Sequence, residues 1–403
     1  MNYAQIKDFV KSGDIEIKTG PFGTQLKANE YTESGTPVLN VRNLGFGNVR
    51  TDKLEFVGAE TTDRLSMHLL RKGDLVFGRK GAVERHSYIT DREKGWMQGS
   101  DCIRIRVNTT SINSRFLSYF FLTKAHQAYM MSACSHGTTM ASLNQGILEQ
   151  IVFPLPTRKT QDKIVTMLSC IDDKIELNSR INENLQQQAV AIYKAWFSDC
   201  SVETGSTPWP NTTIEEITSL VVRGITPKYN DDTDQIVINQ KCIRNHMIDL
   251  APARRHLPKA ITEKWLMQGD ILINSTGEGT LGRVAQVWFV PNNLTVDSHV
   301  TIVRPKSSSL RNYIGFWGLT HEKEIEALHT GSTGQTELPR ERVKAMELPL
   351  PDESTLSRFN ELITPMTQAI IKNQHENLRL GELRDALLPR LMSGELDVSK
   401  LNL

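Results

Sequence analysis

"IVTMLSCIDDKIELNSRINENLQQQAVAIYKAW", residues 164–196, places a residue of one stripe at steps that alternate four and three. The stripe holds Ile164, Leu168, Ile171, Ile175, Asn178, Asn182, Leu185, Ala189, Ile192 and Trp196. This is the heptad spacing that keeps one face of an α-helix against a partner helix, sustained here for almost five heptads. A second stretch, "FNELITPMTQAIIKNQHENLRLGELRDALLPRL" (359–391), repeats the pattern 195 residues later (164 to 359). It holds Phe359, Ile363, Met366, Ile370, Asn373, Asn377, Leu380, Arg384, Leu387 and Leu391. Both copies interrupt the seam with asparagines at the same two central positions. An asparagine in a seam costs stability but fixes register and orientation. Were each helix packed only on its own domain, the asparagines would face water and their coincidence would be accidental. Antiparallel pairing brings Asn178 opposite Asn377 and Asn182 opposite Asn373, whereas parallel pairing stacks 178 on 373. With a globular domain ahead of each helix, the antiparallel choice predicts a domain at each end of a rod on the order of 50 Å.

The rest of the chain is also written twice. "GDLVFGRKGAV" (73–83) aligns with "GDILINSTGEGTLGR" (269–283), and "CIRIRVN" (102–108) with "VTIVRPK" (300–306). Val38-Leu39-Asn40 aligns with Val237-Ile238-Asn239, and "PLP" at 154–156 with "PLP" at 349–351. A period this long signals a duplicated domain pair rather than a solenoid. Each copy has about 150 residues of short β-like runs broken by Gly, Pro, Asn and Thr. One apparent helix precedes the "PLP" ("RFLSYFFLTKAHQAYMMSA", "RNYIGFWGLTHEKEIEALH"), and the long helix comes after it, since proline ends a strand and is tolerated ahead of a helix. The expected class is α+β: two similar globular domains separated by two long helices that form an antiparallel coiled coil, with an internal pseudo-two-fold repeat. The boundaries read as 1–155 for the first domain, 156–199 for the first helix, 200–213 for a polar linker, 214–351 for the second domain and 352–395 for the second helix.

Composition narrows the function. The chain of 403 residues is 39% hydrophobic and 23% charged, ordinary for a soluble globular protein with filled cores. The start, "MNYAQIKDFVKSGDIEI", has no basic and then apolar stretch of a secretory signal, and no run approaches the length of a membrane helix. Five scattered cysteines without a C-x-x-C pair fit a reducing cytoplasm. A net charge of +1 means that any nucleic-acid binding must come from locally clustered bases.

Gly277-Glu278-Gly279-Thr280-Leu281-Gly282 spells G-x-G-x-x-G after an apolar run. A dinucleotide site needs a helix to open at the last glycine, so that its N–H groups face the pyrophosphate. The next residues, Arg283-Val284-Ala285-Gln286-Val287-Trp288-Phe289-Val290-Pro291, read instead as a second strand. The upstream copy lacks the motif, so the glycines serve the shape of a loop. There is no G-x-x-x-x-G-K-[ST] loop, no "NPPY"-type methyltransferase motif, and no H-x-x-x-H or H-E-x-x-H spacing among the ten histidines. No cofactor, metal site or catalytic residue is therefore expected. Asp74 and Asp270 recur in both copies, and a Gly-Asp before an apolar strand reads as a turn rather than a nuclease carboxylate.

The duplicated organisation, the two Gly-Asp loops and "SHGTTMASLNQGILEQIVFPLPTRKTQDKI" (135–164), with the long helix after it, resemble the specificity subunit of type I restriction-modification systems over essentially the whole chain. The family's Pro-rich, acidic stretch after the "PLP" is reduced here to Thr157-Arg158-Lys159-Thr160-Gln161, and is nearly gone in "PDESTLSRF". The resemblance implies a cytoplasmic, non-catalytic subunit in which each globular part is a target recognition domain reading one half of a bipartite double-stranded DNA site. It implies that the paired helices space the domains and dock two methyltransferase subunits and, in turn, the restriction subunits, with no membrane partner. A stand-alone DNA-modifying or cleaving enzyme, and a DNA-binding regulator without enzyme partners, are the alternatives.

DNA readers use Lys and Arg for phosphates, and amide or guanidinium groups for base edges. Loops after expected strands supply them in both copies. The first offers Lys18, Thr24, Gln25 and Lys27; Asn40, Arg42 and Asn43; Arg79, Lys80, Arg85 and His86; His136 and Thr138. The second offers Arg223, Thr226, Lys228 and Tyr229; Asn239, Gln240, Lys241 and Arg244; Asn274, Ser275, Thr276 and Arg283; Thr333 and Gln335. Any one of these is by itself a solvated loop residue. Four corresponding polar loops in two copies are better explained by a shared binding face.

Overall fold

The structure, a computed structural model, describes residues 2–21, 25–134, 141–198, 209–259, 261–331 and 336–399. The chain divides into two compact units, Met1–Ile175 with Leu378–Leu403, and Glu176–Asn377. The division falls inside both long helices, so each unit is one β-rich domain plus a half of each helix.

In the first unit, β1 (Ile15–Thr19), β2 (Leu75–Gly78), β3 (His86–Tyr88) and β4 (Cys102–Val107) form one sheet in the order β1-β4-β2-β3, with Phe46–Gly47 on its outer edge. The second unit repeats that order with β5 (Thr218–Arg223), β6 (Ile271–Asn274), β7 (Val284–Gln286) and β8 (Val300–Pro305), as β5-β8-β6-β7. These strands are rich in β-branched residues and buried on both faces: Leu75, Val76 and Phe77 are each at most 1% exposed, as are Ile271, Leu272 and Ile273. A smaller sheet flanks each. Thr36–Leu39 runs parallel to Met97–Gln98 and antiparallel to Glu55–Val57, while Ile236–Ile238 runs parallel to Leu294–Val296 and antiparallel to Arg254–Arg255.

Each domain is closed by pairing its first strand with its last, Tyr3–Gln5 with Val152–Pro154 and Asn211–Thr213 with Glu347–Pro349. That closure is where each long helix begins. The single helix expected before the "PLP" is two in both copies: Ser114–Phe121 then Lys124–Cys134, and Leu310–Thr320 then Glu322–Ala327. The side chain of Asn113 caps the first of these by accepting from the backbone N–H of Arg115 and Phe116. Short helices at Ile6–Ser12, Ala59–Arg64 and Gln145–Glu149 lie among the segments expected to be β-like.

The long helices are α1 (Arg158–Tyr193) and α2 (Glu353–Ser393). α1 is anchored to the first domain by Gln161, fully buried, which accepts from the Asn113 N–H at 2.8 Å and donates to the carbonyls of Ser111 and Pro156. α2 opens on Asp352, whose carboxylate accepts the Thr355 N–H at 2.9 Å; that hydrogen bond pulls its pKa down to about 2. Within the second unit the asparagines meet as antiparallel pairing requires. The Asn178 amide donates to Asn377 Oδ1 at 2.9 Å, and the Asn373 amide donates to Asn182 Oδ1 at 2.9 Å. Within the first unit the antiparallel partners are charged: Arg384 pairs with Asp172 at 3.2 Å, and Asp172 also accepts from the Tyr119 hydroxyl at 2.7 Å. All twenty seam positions are buried or half-buried, while outward neighbours such as Leu177 and Leu378 are exposed.

Candidate nucleic-acid interface

The turn that sets up the site is the same in both domains. Asp74 and Asp270 are each 1% exposed and take a two-pronged pair from an arginine one strand away. Arg106 donates to both oxygens of Asp74 at 2.7 Å, and Arg304 to both oxygens of Asp270 at 2.8 Å. Each carboxylate also accepts a backbone N–H, from Arg71 or Met267, and each arginine also reaches a carbonyl, of Leu69 or Trp265. These buried carboxylates are consumed in holding a turn, not offered to a metal. Among the described residues no group of three or more His, Cys, Asp or Glu could hold a metal ion.

The glycine motif lies in the next hairpin. β6 and β7 pair antiparallel, Ile271 with Gln286 and Ile273 with Val284, so a strand and not a helix comes after the last glycine. All three glycines have positive φ. A Cβ at Gly277 would meet Gln240 Oε1 at 2.5 Å, and one at Gly282 would meet the Glu326 backbone at 2.9 Å. The loop is shaped by its own chain, and a phosphate cradle is excluded by the strand.

Around this hairpin the loops converge. In the second domain the Asn274 amide donates to the Gln240 carbonyl at 3.1 Å, the Leu338 N–H to the Ser275 carbonyl at 2.8 Å, and the Thr276 hydroxyl lies 2.7 Å from His299. Arg223 donates to the Leu338 carbonyl at 2.9 Å and pairs with Glu337. In the first domain the Gly81 N–H donates to the Ala141 carbonyl at 3.1 Å, and the Leu143 N–H to the Arg79 carbonyl at 2.8 Å. There Arg85 lies over the Phe46 ring, 5.5 Å from its centroid, which ties the loop after Asn40 to the one after Arg79. The loops after Asn40 and Arg79 thus meet in the first domain, and those after Arg223, Asn239 and Asn274 meet in the second.

Individual candidates fare differently. Gln25, Lys27, Arg42, Lys80, Thr226, Lys228, Lys241 and Arg244 are exposed. Lys18, Asn40, Arg79, Arg85, Arg223, Asn239, Thr276 and Arg283 are half-buried. Asn43 and Ser275 need correction, because both are fully buried. The Asn43 amide donates to the carbonyls of Arg50 and Asp52, and the Ser275 hydroxyl pairs with that of Thr301 at 2.5 Å. Each staples its loop from inside and offers nothing to a ligand. His86 and Asn274 are likewise buried, His86 against the Ser118 hydroxyl at 2.9 Å. Thr24, His136, Thr138, Thr333 and Gln335 lie outside the described residues. The candidates read from the sequence do not include Glu55 and Arg254, which the strand register sets opposite Val38 and Val237. Their signal was present in the repeat, because 55 and 254 stand at the same 199-residue offset as 38 and 237.

Known proteins share this duplicated arrangement. The family described as the type I restriction modification DNA specificity domain matches residues 6–187. The MjaIX type I restriction enzyme specificity subunit of Methanocaldococcus jannaschii is 27% identical, covering 98% of this chain and 94% of its own. Residues 6–187 carry that DNA specificity domain, and the chain as a whole is similar to type I restriction specificity subunits. The HindI specificity subunit of Haemophilus influenzae is a further relative, 21% identical over 81% of this chain and 87% of its own. A crystal structure of a type I restriction-modification S subunit from M. genitalium shares the fold, with a TM-score of 0.59 at 15% identity over 99% of this chain and 96% of that one. Among the described residues no helix is long and apolar enough to cross a membrane.

Proposed function

We propose that this chain is a type I restriction specificity subunit and that each of its globular domains reads one half of a bipartite double-stranded DNA site. The observation that carries this reading is the duplication: two domains with the same strand order, each bringing polar loops together around the hairpin that comes after its buried Asp–Arg turn. On this reading the chain is a cytoplasmic, non-catalytic subunit. Its paired helices dock two methyltransferase subunits and, through them, restriction subunits, which act where the two domains have bound.

The test uses duplexes with either half of the site scrambled, at one fixed salt concentration, since phosphate contacts make affinity steeply salt-dependent. Arg283 holds the Gly279 carbonyl at 2.8 Å and is half-buried at the rim of the loop. Arg283→Ala weakens recognition of the half read by residues 214–351 by roughly 1–3 kcal/mol and leaves the other half's preference intact. Loss at both halves together overturns the division of labour. Methylation or cleavage by the purified chain alone overturns the non-catalytic role, and recovery from the host without any methyltransferase favours a regulator.

A further inference from the structure

The small sheets of the two domains share a register, and the register sets unlike residues at one place. Val38 faces Glu55 across the antiparallel pair in the first domain, and Val237 faces Arg254 in the second. Tyr31 pairs with Val57 and Tyr229 bridges to His256, in each case two residues beyond Glu55 or Arg254. Asn40 corresponds to Asn239 and Arg42 to Lys241 at the shared offset of 199 (40 to 239, 42 to 241). Each domain therefore presents a tyrosine, an asparagine and a cation, plus a fourth residue that is an acid in one domain and a base in the other.

The consequences differ. In the first domain Glu55 accepts from the Asn40 amide at 2.6 Å and from Arg42 at 3.1 Å, which neutralises the cation and fixes the direction of both donors. In the second domain no acid stands there. Arg254 is exposed, and its guanidinium lies over the ring of Tyr229, 3.5 Å from the centroid, with no hydrogen bond or ion pair among the described residues. Asn239 turns instead to the Pro252 carbonyl at 2.9 Å, and the neighbouring Lys241 and Arg244 are exposed. A guanidinium held flat on an aromatic face loses little freedom on binding and keeps its N–H donors in one plane. That fork matches the O6 and N7 acceptors on the major-groove edge of guanine, whereas a phosphate is served equally well by a point charge.

We propose that the place held by Glu55 in the first domain and Arg254 in the second determines specificity, and that Arg254, laid on Tyr229, donates two hydrogen bonds to a guanine in the half-site of the second domain. In the first domain that place holds Glu55, which steers Arg42 instead, so the two domains present their guanidinium donors at shifted positions and read unlike half-sites. This assignment rests on the reading that each domain recognises a half-site.

The test is selection from randomised duplexes by the full chain as purified from its host, with the subunits that accompany it, for the wild type, Arg254→Lys, Arg254→Ala and Tyr229→Phe. The Arg254 side chain is exposed and holds no hydrogen bond, so the thermal midpoints stay at the wild-type value and serve as the folding control. Arg254→Lys keeps the charge and loses the fork. It lowers the preference for guanine at one base pair by about tenfold or more, with total binding at low salt retained and the other half of the motif unchanged. Tyr229→Phe keeps the ring and the preference. The assignment is overturned if Arg254→Lys selects the wild-type motif while Arg254→Ala weakens all duplexes alike and reduces the salt slope by about one, the signature of a phosphate contact. It is overturned equally if none of the variants changes anything. A wild-type protein that selects no motif overturns the half-site reading itself, which separates that failure from this one.

Discussion

Replacing Asn178 with leucine tests the seam most directly. Asn178 is 1% exposed, and its amide donates to Asn377 Oδ1 at 2.9 Å and to Glu376 at 2.8 Å. Asn178→Leu leaves Asn377 Oδ1 without that donor in a half-buried seam, where the Asn377 amide also makes a long contact to Ser179 at 3.3 Å. An unsatisfied buried polar group costs about 1–3 kcal/mol, and because Asn377 is half-buried the lower part of that range, about 1–2 kcal/mol, applies. Leucine at both positions removes both amides, packs an apolar pair into the seam, and is expected to stabilise the helices while relaxing their register. The two single changes should therefore be non-additive by at least about 1 kcal/mol. A two-unit chain does not unfold in one step, so the assay is hydrogen exchange across residues 170–190 and 365–385 rather than a single melting curve. Single effects that sum to the double within about 0.3 kcal/mol would show that the residues do not meet, and the antiparallel pairing argument would fall with them.

Buried charge gives two more outcomes. Asp270→Ala strands the Arg304 guanidinium and should destabilise the second unit by about 3–5 kcal/mol, read by exchange in β6 and β8, with no effect on any cleavage activity; unchanged stability would reopen a chemical role for the carboxylate. Acid should loosen the first unit selectively. Burial pushes His86 down to about 3, helped by His126 and Arg115, and burial pushes His126 down to about 4. Both stay neutral in the fold, so the unfolded chain takes up protons first: their contribution is complete above about pH 6.5 and is lost as pH falls toward the folded values. Between pH 6.5 and 5 the pair should cost about 3 kcal/mol. In the second unit the hydrogen bond to Glu322 raises His246, so its contribution is present below about pH 6.5 and lost as pH rises through the folded value. Segment-resolved exchange at pH 7 and pH 5, corrected for the intrinsic rate, checks the contrast; equal loss of protection in both units contradicts it.

The sequence by itself determined the helices, the seam and the duplication, because each of these is a one-dimensional signal. Heptad spacing and a fixed offset are both read along the chain, and Asn178 meets Asn377 because antiparallel helices with central asparagines leave one geometry. The strand after Gly282 was legible for the same reason, as a local run of β-branched and aromatic residues. The break between Ser114–Phe121 and Lys124–Cys134 was not, since a helical composition runs through it. Only the tertiary structure decided which polar loop residues face outward. Asn43 and Ser275 look like Asn40 and Thr276 in the sequence, yet carbonyls and a hydroxyl brought in by other segments turn them inward. The pairing of Glu55 with Arg42, and of Arg254 with Tyr229, likewise depends on strands distant in sequence being hydrogen-bonded in one register. Direction of a side chain is fixed by its cross-strand neighbours, and those neighbours come from the fold rather than from adjacent residues.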